Sequence, residues 1–82
     1  MSGYIVVAFD CFNNIYFVSN TSPILWVGDQ KLSKIFSTFQ EAKHELEDNF
    51  ISLSATILYA NIKTIFIYEY KNGIEIGKEK FL

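Results

Sequence analysis

Arginine is absent from this 82-residue chain, and all seven basic residues are lysines. Arginine is the usual bidentate reader of phosphate and guanine. Its absence, together with a net charge of −2, argues against a nucleic-acid binder. A single cysteine, Cys11, cannot form an internal disulfide, so a reducing compartment is expected. One cysteine and one histidine, His44, fall short of the several ligands a zinc site needs. The four glycines, Gly3, Gly28, Gly73 and Gly77, are scattered and form no phosphate-cradling loop. No apolar run approaches the roughly 20 residues of a membrane span. Met1-Ser2-Gly3 lacks a basic n-region, and Tyr4 to Phe9 is too short for a signal-peptide core. The expectation is a cytoplasmic protein with no membrane, metal or cofactor.

What the chain has in excess is apolar surface. Half of its residues are hydrophobic and 17% are aromatic, more than the interior of one small domain (residues 1–82) can hold. Some of these side chains must reach the surface, as a patch or an oligomer interface.

The longest pattern runs from Thr38 to about Ala60. Phe39, Ala42, Leu46, Phe50, Leu53, Ile57 and Ala60 recur at steps of three or four, one face of a single α-helix. Thr38 with Glu41 fits a capping box at its start, and Ser37 with Gln40 fits one position earlier. Asn61 is a candidate left-handed cap at its end. The rival reading stops the helix near Asn49 and makes Ala55–Tyr59 a strand. The flanks read as strands: Tyr4–Phe9 and Ile15–Val18 as a hairpin, Ile24–Val27 as a short third strand, Ile62–Tyr70 and Ile74–Lys80 as a second hairpin. Lys31 to Phe36 is either a short strand or an irregular approach to the helix. Asn72-Gly73 is the preferred two-residue hairpin turn, which pairs Lys71 with Ile74, Tyr70 with Glu75 and Tyr68 with Gly77. The fold class is α+β: a mainly antiparallel sheet with one long helix packed on one face.

Strand alternation then assigns faces. Ile62, Phe66, Tyr68 and Tyr70 share one face and Ile65 and Ile67 the other; Ile5, Val7 and Phe9 oppose Tyr4, Val6 and Ala8; Ile15 and Phe17 oppose Tyr16 and Val18. These strands are apolar on both sides, yet one helix covers one side. The uncovered side is a partner- or self-interface rich in tyrosine, with Tyr4, Tyr16, Phe66, Tyr68 and Tyr70 as candidates. The competing reading is a curled sheet whose second face is filled by Trp26, Phe36 and Phe81-Leu82.

Catalytic signatures are missing. His44 falls among charged residues on the helix, the setting of a solvated side chain. Cys11 stands beside Asp10 with no adjacent cation, which is not the setting of a nucleophile. No catalytic residue is assigned. Glu41, Glu45, Glu47 and Asp48 form an acidic helix face that either binds a partner, by imitating phosphate spacing, or is simply solvated. The lysines around the last hairpin alternate with Glu69, Glu75 and Glu79 and make a weak nucleic-acid patch.

Trp26-x-x-Asp29-x-Lys31-x-x-Lys34-x-Phe36-x-Thr38-x-x-Glu41-Ala42 resembles a pattern in small uncharacterised proteins of bacteriophages and prophages of Gram-positive bacteria. In those proteins a hairpin precedes the pattern, and a capped helix and closing strands follow. The resemblance covers about residues 4–50, with Ser33 where the family usually has Ala and Gln40 where it has the first Glu. It implies a phage or mobile-element origin and residence in the host cytoplasm. It also implies a non-enzymatic binding protein that inhibits a host protein, for example one of a defence system. The alternative is a self-associating, dimeric accessory protein, and a small enzyme is the remote one.

Overall fold

A computed structural model describes residues 1–82. Its sheet has five antiparallel strands: β1 (Gly3–Asp10), β2 (Ile15–Thr21), β3 (Ile24–Val27), β4 (Ile62–Lys71) and β5 (Ile74–Lys80). Their spatial order is β3-β2-β1-β4-β5, so β1 lies at the centre. Between β3 and β4 the chain makes two helices, α1 (Phe39–Asp48) and α2 (Phe50–Ala60).

Both ends of the helical stretch follow the local chemistry. The Thr38 hydroxyl accepts the Glu41 backbone N–H at 3.0 Å, satisfying one of the free donors of the first turn. Asn61 ends α2 in the left-handed conformation, φ 56°, ψ 41°, which asparagine tolerates. At Asn72-Gly73 both residues take positive φ, as a type I′ hairpin turn requires.

The middle departs from the one-helix expectation. Asn49 leaves helical geometry at φ −112°, ψ 33°, and its side-chain amide donates to the Glu45 carbonyl at 2.9 Å. Asparagine competes for backbone groups in this way, and the helix breaks there. Phe50 therefore falls off the inner stripe and is exposed, whereas Ala42, Leu46 and Leu53 are buried. The poor helix formers of α2 have their own use. The Ser52 hydroxyl accepts the Ile24 N–H at 2.9 Å, and the Thr56 hydroxyl accepts the Trp26 indole N–H at 3.0 Å. They tie α2 to the short edge strand β3. The rival reading places the end of the first helix correctly, near Asn49, but its strand at Ala55–Tyr59 does not form: those residues belong to α2.

Other corrections come from bulges and turns. Asp10 pairs with Ile62 but Phe9 with Thr64, so Lys63 is an extra residue on β4. That bulge turns Ile62 into the core with Ile65 and Ile67, away from Phe66. In the second hairpin, Lys71 pairs with Ile74 and Tyr70 with Glu75. A bulge beyond them pairs Gly77 with Glu69, leaving Tyr68 opposite Lys78. The approach to α1 holds a single 3-10 turn at Gln30–Leu32, and Phe36 makes an isolated bridge to Tyr4.

The helices cover one face of the sheet. The core between them contains Val6, Ala8, Val18, Phe36, Leu46 and Ile65, among others. Phe36 is buried in it, and Trp26 and Phe81 pack against it. These residues do not fill the opposite face. Leu46 has no solvent exposure, so Leu46→Ala removes core contacts and leaves a cavity. We expect it to lower unfolding free energy by about 2–5 kcal/mol in urea titrations. A loss below about 1 kcal/mol would show that Leu46 is not a core residue.

Candidate functional site

The face turned away from the helices carries the surplus aromatics. Odd positions of β1, Ile15 and Phe17 of β2, and the even positions of β4 after its bulge, Thr64 to Tyr70, point to it: Val7 pairs with both Phe17 and Phe66, and Ile5 with Tyr68. No helix covers this face, yet Ile5 and Val7 are 0% and 3% exposed. The half-buried rings of the neighbouring strands shield them.

These rings form a ladder. Phe9 meets Phe66 edge-on, with centroids 6.1 Å apart at 83°, and Phe66 meets Tyr68 at 6.1 Å and 76°. Tyr68 stacks on Tyr70 at 6.4 Å and 21°. Such edge-to-face and stacked pairs contribute beyond their buried area. From β5, the Lys78 ammonium sits 5.4 Å from the Phe66 ring centre and 5.7 Å from that of Tyr68. Burial, and then the nearby Glu75 carboxylate, raise the Tyr68 phenol above its ordinary pKa. At neutral pH its hydroxyl remains an uncharged donor and acceptor.

Phe66, Tyr68 and Tyr70 are thus brought together, but Tyr4 and Tyr16 are not. Both lie on the helix side and pack against the core there. Hydrogen bonding to Glu69, then burial and the charge of the same carboxylate, raise the Tyr4 phenol. The Tyr16 hydroxyl donates to Asp10 at 3.1 Å. Phe9 and Phe17 belong to the open face in their place. Strand alternation carried the signal, since both share the face of Ile5 and Val7 or its paired positions.

The acidic set also divides. Helical spacing puts Glu41, Glu45 and Asp48 on one side of α1, with Glu45 paired to Lys34 at 3.2 Å. Glu47 stands with Lys43 in a groove between α1 and the chain end, beside Glu79, Lys80 and Phe81. Charges of both signs meet there, so α1 presents no single anionic face. Cys11 and His44 are exposed, and no group of three His, Cys, Asp or Glu side chains is placed to hold a metal ion. No helix is long and apolar enough to cross a membrane.

No family model, curated protein or solved structure matches the chain. The resemblance to small phage and prophage proteins rests on its motif residues alone.

One buried carboxylate organises the rim of the helix-side surface. Asp10 accepts the Phe12 and Asn14 N–H groups, the Asn14 amide and the Tyr16 hydroxyl at 2.8–3.1 Å, holding the β1–β2 turn. Burial by itself would raise its pKa, but the hydrogen bonds from Asn14, Phe12 and Tyr16 outweigh it and lower the pKa below the ordinary 3.8. A depressed folded-state pKa stabilises the fold above the unfolded-state value, and this is lost as pH falls through the folded value. Melting temperature is therefore expected to decline below about pH 4. Asp10→Asn should lower it at neutral pH and flatten that acid decline. Identical acid limbs in the two proteins would rule Asp10 out as a source.

Proposed function

We propose that this is a non-catalytic binding protein that presents its open sheet face to a protein partner. The observation that carries the reading is the ladder Phe9–Phe66–Tyr68–Tyr70, an aromatic platform laid over the buried side of β1 with no element of the chain above it. Rigid aromatic rings are the commonest anchors of protein interfaces, since they bury large areas with few rotatable bonds. Lys78 and Lys80 flank the platform, being paired with Tyr68 and Phe66 on β5. A partner with an apolar patch and an acidic margin fits it. Stacked single-stranded bases would fit such rings too. The absence of arginine and the net charge of −2 favour a protein instead.

The resemblance to phage and prophage proteins supports a host protein as the partner and inhibition as the effect. In this reading the acidic residues of α1 keep the surface solvated and do not form the contact.

Affinity capture from lysate of a Gram-positive host, with nuclease added, tests the proposal. The wild type and a Glu41→Lys/Asp48→Lys variant are expected to retain the same partner. A Tyr68→Lys variant that keeps the wild-type circular dichroism spectrum should lose it at least tenfold, the size of a hot-spot effect. Loss with the α1 variant and retention with Tyr68→Lys would move the contact to the acidic helix. Loss on nuclease treatment would make the ligand a nucleic acid.

A further inference from the structure

A second apolar surface lies on the opposite side of the molecule, on the outer side of α2. Ile51, Leu58 and Tyr59 are 88%, 82% and 92% exposed, and Ala55 between them is exposed as well. Their spacing of four, three and one places them on one helical stripe, opposite the inward-facing Leu53, Ile57 and Ala60. The helix is apolar on both sides and contains no charged residue from Phe50 to Ala60. Nothing in the fold uses the outer stripe.

We propose that this stripe pairs with its own copy, making an antiparallel α2–α2 homodimer about a two-fold axis beside Ala55. Three observations specify a second copy as the occupant. The first is self-complementarity. In an antiparallel pair centred between Ser54 and Ala55, Ile51 of each helix meets Leu58 of the other, and the small central residues let the two backbones approach. The second is charge. A chain of net charge −2 repels its copy over most of its surface, but α2 is neutral. Its two ends are flanked by exposed residues of opposite sign, Asp48 and Lys63. Antiparallel pairing brings the Asp48 end of one helix to the Lys63 end of the other, and also opposes the helix dipoles favourably. The third is area. Ile51, Ala55, Leu58 and Tyr59 present on the order of 600 Å² per protomer. This is the lower end of the roughly 600–1,000 Å² per partner in specific interfaces, so dissociation in the micromolar range is expected.

Light scattering after size exclusion, at tens of micromolar, reads the oligomer directly. The wild type is expected at twice the 9.5 kDa chain mass. Leu58→Glu and Ile51→Glu should each run as monomers with the wild-type circular dichroism spectrum, because both positions are exposed within the protomer. In a Cys11→Ser background, oxidation should cross-link Ala55→Cys into a covalent dimer and leave Glu41→Cys, on α1, uncross-linked. A monomeric wild type overturns the proposal. So does a dimer that survives both glutamate variants, or one that is lost with Tyr68→Lys instead. Monomeric Leu58→Glu keeps the open sheet face intact, so partner capture by that variant tests the binding reading separately.

Discussion

The structure depends on a central strand that must be buried twice. β1 has Ile5, Val6, Val7 and Ala8 in succession, all buried, and it is hydrogen-bonded on both edges. Val6 and Ala8 are covered by α1 and α2. Ile5 and Val7 have no helix above them. A chain of this length has no second layer to spend on them, so the adjacent strands supply large rings that lean over the gap. Phe9, Phe17, Phe66, Tyr68 and Tyr70, five of the fourteen aromatic residues, answer that constraint. The cover is one residue thick, and its outer surface is a half-exposed aromatic sheet.

Most of the fold could be read from local chemistry. The Thr38 cap, the Asn61 end, the Asn72-Gly73 turn and the two hairpins depend on residues close in sequence, whose backbone preferences act locally. The break at Asn49 was legible only as an alternative, because Phe50 continues the apolar spacing of Leu46 and Leu53 through it. Apolar periodicity reports which residues could share a face; it does not report a backbone that leaves the helix for one residue. Strand alternation was reliable until a bulge intervened. Lys63 and Ile76 are each an extra residue in a ladder, and the faces of Ile62 and the register at Tyr68 shift accordingly.

The candidate site was half legible for a related reason. Phe66, Tyr68 and Tyr70 follow from the alternation of β4. Tyr4 and Tyr16 have the residue type of an interface but alternate oppositely to Ile5 and Phe17, and both lie on the helix side. Phe9 and Phe17, which share the alternation of Ile5 and Val7 and of Ile15, lie on the open face instead, and a preference for tyrosine at interfaces does not point to them. In a sheet covered on one side only, the ring that completes the core of one strand is also the outer surface of the molecule.

The two helices differ for the same physical reason that the two sheet faces do. The outward positions of α1 are Glu41, His44 and Asp48, exposed to solvent, and Glu45, paired with Lys34. α2 spends its outward positions on Ile51, Leu58 and Tyr59, and solvent explains none. A helix needs one apolar stripe to hold it to a sheet, and Leu53 with Ile57 and Ala60 supplies it. The second stripe is surplus to folding, as the outer surface of the aromatic ladder is surplus to burying β1. The two surpluses lie on opposite sides of the sheet. Pairing through α2 therefore leaves both ladders open and facing away from one another. Such a dimer would offer two equivalent platforms, each open to its own partner molecule, because sites that face apart do not both engage one compact partner.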